Sequence, residues 1–213
     1  MLRRVLIALM VSLGFMLAGC GQPADKAPRE LVVMTHDSFD VSREVIAAFE
    51  RQQGVKVRIL KSGDAGAALS KAVIGRKNFM ADLFFGVDNT FLSRALDAEI
   101  FASYAAPGLS EIPTELKLDK SARLLPVDFG DVCLNYDRQW FKAKGLNPPQ
   151  GLADLVRPAY RGLTVVENPA TSSPGLAFLL ATIARYGEAG YLDYWKALKR
   201  NGVLVVDGAS GEI

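Results

Sequence analysis

The chain has 213 residues, half of them hydrophobic, with 25 basic against 23 acidic side chains and a formal net charge of +2. That length and apolar content suit one large or two small globular domains, and the near-balance of charge gives no basis for a nucleic-acid partner. Two cysteines, Cys20 and Cys133, and a single histidine, His36, exclude a disulfide framework, a cysteine-built zinc site and the common histidine-centred clusters.

The amino terminus reads as a targeting segment. Arg3 and Arg4 precede an apolar stretch, residues 5–17, of signal-peptide length and too short to span a bilayer comfortably. It ends in Leu17-Ala18-Gly19-Cys20, the pattern of a bacterial lipobox, in which small residues admit the peptidase and the Cys20 thiol receives a lipid. Residues 1–20 are thus expected to be a lipoprotein signal peptide. Residues 21–30, polar and carrying Pro23 and Pro28, read as a flexible tether. The mature protein is expected in the periplasm or on the outer face of the cytoplasmic membrane, held by the lipid on Cys20.

From residue 31 the pattern alternates between strand and helix. Leu31-Val32-Val33-Met34-Thr35 predicts a buried strand, and Asp40 a cap for a helix whose apolar face is Val41, Val45, Ile46 and Phe49. A second strand at 55–60 is followed by Gly63-Asp64-Ala65-Gly66 and a helix with Ala65, Leu69, Ala72 and Val73 on one side. A third strand at 83–87 leads through Asp88-Asn89 to a helix carrying Phe91, Leu92, Ala95 and Leu96. This βαβαβα order calls for a mainly parallel sheet covered on both faces. Residues 101–120 read as an irregular connection, and 124–129 and 132–136 as two strands. Beyond them come a strand at 163–166, helices at 175–186 and 191–200, and a strand at 203–206. The expected organisation is a first α/β lobe over 31–130 and a second over 131–213. The second ends just after a helix-cap signal at Ser210 and is expected to be truncated at its carboxyl end.

Ligands of open parallel sheets sit beyond the carboxyl ends of the strands, where loops and helix amino termini converge. Four segments qualify: Thr35-His36-Asp37-Ser38-Phe39, Ser62-Gly63-Asp64-Ala65-Gly66, Asp88-Asn89-Thr90, and 169–175, where Ser173 caps a helix opened by Pro174. Each also has a structural reading, as a capped turn or a helix start. His36-Asp37-Ser38 is no catalytic relay, because consecutive residues of an extended segment point to alternating sides. The glycines of 63–66 lack the lysine and hydroxyl that complete a phosphate-binding loop. Tyr191, Tyr194, Trp195 and Leu198 share a helix face and are expected to pack in a core, and Cys133 between Val132 and Leu134 is expected to be a buried, inert thiol.

In order and spacing, these segments resemble the thiamine-binding periplasmic proteins of ABC importers, which have the two-lobe type II periplasmic-binding fold. The marks are Thr35-His36-Asp37-Ser38-Phe39, the Gly63-Asp64 turn, Gly86-Val87-Asp88-Asn89, Pro126-Val127-Asp128-Phe129-Gly130, Asn135-Tyr136-Asp137, Asn147-Pro148-Pro149 and Asn168-Pro169 with Thr171-Ser172-Ser173-Pro174-Gly175-Leu176. The resemblance implies a monomeric, non-enzymatic protein without cofactor or bound metal. It would close on thiamine or a thiamine phosphate and be read by a permease–ATPase complex. It places ligand contacts at Asp64-Ala65 and Ser172-Ser173, to which position in the cleft adds His36, Asp37 and Asp88. A carboxylate suits the aminopyrimidine or the thiazolium charge, and hydroxyls with helix N–H groups suit an alcohol or phosphate tail. Two positions depart from the family pattern: His36 stands where the family has tyrosine, and Asp207-Gly208-Ala209-Ser210 where it has tryptophan. Other solutes carried on this fold, such as iron, polyamines or sulfate, remain alternatives, as do a surface-anchored enzyme and a sensor lipoprotein.

Overall fold

The structure is a computed structural model and describes residues 29–208. The lipobox, most of the tether and the cap signal at Ser210 lie outside the described residues. Three parallel strands form the first sheet: β1 (Arg29–Thr35), β2 (Val55–Lys61) and β3 (Leu83–Phe85), in the order β2-β1-β3. The register pairs Thr35 with Lys61 on one side and with Phe85 on the other, so all three strands end level. The expected third strand is shorter than its apolar run, because Gly86 and Val87 have already left the ladder.

Helix α1 (Arg43–Gln53) joins β1 to β2. Its cap is Ser42 rather than the predicted Asp40: the Ser42 hydroxyl accepts from the Val45 N–H, two residues closer to the first helical turn. Helix α2 (Ala65–Ile74) joins β2 to β3 and is capped by Asp64, in keeping with the capped-turn reading of that segment. Helix α3 (Leu92–Asp97) follows β3. Leu69, Phe91 and Ala95 form the buried centre here, with Phe84, Val87, Leu124 and Leu176 packed around them. The irregular stretch that follows contains two 3-10 turns, Pro107–Glu111 and Thr114–Leu116.

Residues 124–129 and 132–136, expected as strands, are irregular, and from Val127 onward they face solvent. Val127 and Phe129 are among the most exposed apolar side chains described. Alternating apolar residues satisfy one requirement of a strand, but a ladder partner is the other, and neither segment pairs with a described strand. Cys133, expected to be buried, is exposed for the same reason. Helix α4 (Arg138–Lys144) then begins at Asp137, whose carboxylate accepts from the Gln139 and Trp140 N–H groups.

The second sheet is one parallel pair, β4 (Val165–Glu167) and β5 (Leu204–Val206). Between them runs α5 (Ser173–Arg200), in which the two expected helices join across a kink at Gly187, whose φ of 71° is non-helical. The break brings Tyr186 onto Tyr194 as stacked rings 4.7 Å apart. Tyr194 and Leu198 are buried with Leu155, and the Tyr194 hydroxyl donates to the Leu152 carbonyl. Burial, and then the neighbouring Tyr186, push the Tyr194 phenol well above its ordinary pKa. The predicted face of this helix is therefore core.

Candidate functional site

The carboxyl ends of β1, β2, β4 and β5 meet in one seam. After β1, the Asp37 N–H donates to the Gly63 carbonyl (2.9 Å) and the Gly63 N–H donates to the Asp37 carboxylate (2.8 Å), so the first two loops are stitched together. Lys61 Nζ donates to the Asp37 carbonyl. His36 sits between the ends of β1 and β3. Its ring lies 5.8 Å from that of Phe85, and Phe39 lies 5.0 Å from the same ring.

Asp64 opens α2. One carboxylate oxygen accepts from the Ala65 N–H (2.7 Å); the other, Oδ2, is buried and has no hydrogen-bond partner among the described residues. A buried acceptor left unmatched costs about 1–3 kcal/mol, more for a charged group, so a donor that reached this oxygen once Gly208 moved off it would be rewarded. Ala65 is buried beside it.

The second sheet reaches the same place through Asn168. Its backbone N–H donates to the Val206 carbonyl, its carbonyl accepts from Thr171 and Ser172, and its side-chain amide donates to the Asp207 carboxylate (3.2 Å). These bonds present the Thr171 carbonyl to α2, where it accepts from the N–H groups of Gly66 (2.8 Å) and Ala67 (3.3 Å). A helix amino terminus in one half of the chain is therefore capped by a carbonyl from the other. Gly66 permits this approach. A Cβ there would lie 2.6 Å from the Phe91 ring, 2.9 Å from the Thr171 carbonyl oxygen and 3.1 Å from that of Ala170. Gly208, after β5, lies on the Asp64 carboxylate: a Cβ on it would meet Oδ2 at 2.8 Å.

Ser172, fully buried, is the N-cap of α5, so the cap falls one residue before the predicted Ser173. Its hydroxyl accepts from the Gly175 N–H (3.2 Å) and donates to the Glu167 carboxylate. Ser173, in the first turn, is only partly buried. Asp88 is occupied by its own turn, its Oδ1 accepting from the Thr90 N–H, the Thr90 hydroxyl and the Phe91 N–H.

Of the candidate residues, Asp37, Asp64, Ala65, Ser172 and Ser173 thus belong to one connected seam. His36 flanks it through the β1 end, and Asp88 contributes through Phe91, whose ring packs on Gly66. The sequence reading omits Glu167, and it notes Asp207 and Gly208 only as a departure from the family pattern. Glu167 carries no loop or cap signal, and Gly208 is informative only once its contact with Asp64 is seen.

Two α/β sheets whose strand ends face a common seam define a binding-protein architecture. The chain belongs to the family of bacterial extracellular solute-binding proteins, which matches residues 78–211. It is similar to the thiamine-binding periplasmic protein of Salmonella typhimurium, with 31% identity over 196 residues, 90% of this chain and 57% of that one. Among solved structures it resembles a periplasmic thiamin binding protein, with a TM-score of 0.64 and 26% identity over 85% of this chain and 56% of that one. Iron-bound HitA from Pseudomonas aeruginosa aligns with the same TM-score at 21% identity, over 84% of this chain and 56% of that one, a likeness of fold alone. The fold is that of the type II periplasmic binding proteins, and the chain spans a little over half the length of the relatives it matches.

Proposed function

We propose that this protein is the solute-binding component of an ABC importer for thiamine or its phosphates. In this reading it works in the periplasm or at the outer face of the cytoplasmic membrane, anchored through a lipid on Cys20. The observation that carries the ligand is the 31% identity to a thiamine-binding periplasmic protein along nine-tenths of the chain. The seam supports it chemically. Asp64 brings to the seam a carboxylate suited to an aminopyrimidine or a thiazolium charge, and the His36, Phe39 and Phe85 rings gather at the ends of β1 and β3, chemistry suited to stacking on a cation.

Calorimetric titration with thiamine tests the reading. We expect saturable binding, and Asp64→Asn is expected to weaken it more than tenfold, about 1.4 kcal/mol or more. Absence of binding to the full-length polypeptide would remove thiamine, and unchanged affinity in the variant would remove Asp64 from the site. The anchor is tested separately: Cys20→Ser is expected to move the protein from the membrane fraction to the soluble fraction.

A further inference from the structure

We propose that the end of the first sheet opposite the seam is a membrane-resting surface, suited to the anionic phospholipid of the bilayer that holds the lipid on Cys20. The proposal rests on the anchored reading given above and adds an orientation to it. Strands β1 and β3 run parallel, with Val33 beside Leu83, and end together at the seam. Arg29 and Leu83 therefore begin at the far end, where the Asp82 N–H donates to the Val32 carbonyl and the Asp82 carboxylate accepts from the Val32 N–H. Cys20 precedes Arg29 by nine residues, a length of chain that reaches about 30 Å at most. This end of the sheet thus has a shorter path to the bilayer than the seam has.

Helix α2 ends at Ile74, and a turn in which the Asn78 N–H donates to the Gly75 carbonyl leads on to β3. Here Ile74 is 84% exposed, Phe79 64%, Met80 50% and Leu83 49%. Phe79, Met80 and Leu83 line one cavity with Ile100 and Phe101, so the apolar surface is continuous rather than scattered. At about 80 Å³ the cavity is far below the roughly 300–1,000 Å³ of a small-molecule site, which fits a broad contact better than a solute. Arg76 and Lys77 are exposed in the same turn and form no ion pair among the described residues. Lys71 reaches back toward the Gly63 turn and does not join them. The acidic side chains nearby in the chain are Asp82, bonded to the Val32 N–H, and Asp97 and Glu99, exposed just before Ile100. The positive charge is therefore local to the turn, and the apolar side chains carry the rest of the contact. Interfacial segments combine these two features: apolar side chains enter the headgroup layer, and Lys or Arg beside them meets anionic lipid. The tether decides between a bilayer and a protein as the occupant, because it keeps this end close to the bilayer. Resting on this face leaves the seam turned away from the membrane and open to solution.

Flotation of the mature polypeptide, with Cys20→Ser so that no acyl chain attaches, tests the surface apart from the anchor. The vesicles are phosphatidylcholine alone, or three parts phosphatidylcholine to one of phosphatidylglycerol. Once Arg3 and Arg4 leave with the leader, basic and acidic side chains are equal in number, so a preference for anionic vesicles has to come from the placement of charge. Partition onto the anionic vesicles is expected to be about tenfold or more the stronger, and Arg76→Glu with Lys77→Glu to remove that advantage. Phe79→Ser is expected to weaken binding to both vesicles about threefold or more. Lys199→Glu with Arg200→Glu, at the exposed end of α5, is expected to change partition less than about threefold. Thermal melting matching the wild type shows that each variant is folded. The contact is weak without the anchor, so the unlipidated protein still fractionates as soluble. Equal partition onto the two vesicles, or equal losses in the two charge-reversed variants, overturns the proposal. Because the acyl chain is absent throughout, the result is independent of whether Cys20 is lipidated, and fractionation of Cys20→Ser cells judges that reading separately.

Discussion

Gly66 carries more of the architecture than its size suggests. Its N–H holds the Thr171 carbonyl, and its missing Cβ is what lets that carbonyl and the Phe91 ring approach together. Gly66→Ala gains helix propensity of about 1 kcal/mol in an exposed helix, but here the methyl has no free volume. Phe91 is buried and the Thr171 carbonyl is backbone, so neither yields without displacing a core residue or a loop. We expect a net loss of about 1–3 kcal/mol, read as a lower urea midpoint. A midpoint equal to or above that of the wild type would show that the seam gives way at no cost. Ser172 teaches the complementary lesson. A serine pair before Pro174 announces a helix start, but which serine caps it and which faces the seam depends on Glu167, a residue outside the motif.

At the scale of elements, the parts that close locally were legible from residue pattern. Strands β1 and β2, the Asp64 cap and the face of α5 carrying Tyr194 and Leu198 all follow from periodicity and capping chemistry. What was not legible depends on partners distant in sequence. The segments at 124–129 and 132–136 have strand-like composition without a neighbouring strand, and the seam depends on a carbonyl that no side-chain pattern reveals. The α5 face is testable. Leu198 is fully buried against Leu155 and Tyr194, and Leu198→Ala is expected to cost about 2–5 kcal/mol in chemical denaturation. A cost below 1 kcal/mol would mean that this face is not a packed core.

Across the whole molecule, the first core is closed from one side by the loop that Asp119 organises. Its carboxylate accepts from the N–H groups of Ser121, Arg123 and Leu124 and from the Ser121 hydroxyl, and Leu124 packs against the Phe91 cluster. Desolvation raises the carboxyl, but those hydrogen bonds, led by the Ser121 hydroxyl, outweigh it and hold the pKa at about 2, below the ordinary 3.8. A depressed carboxylate stabilises the fold fully above its unfolded value and loses that contribution as pH falls through the folded one. The melting temperatures of wild type and Asp119→Asn should therefore differ near neutrality and converge between about pH 4 and pH 2. A gap that holds constant across that window would show that the loop is indifferent to the charge.

The cap that Thr171 supplies to α2 also bears on the order in which the chain matures. Synthesis delivers the first sheet long before residue 171 emerges, so α2 must wait with two amides unanswered while its strands are already complete. Until that carbonyl arrives water must serve the Gly66 and Ala67 amides, so the amino half completes its hydrogen bonding only when the carboxyl half has been made.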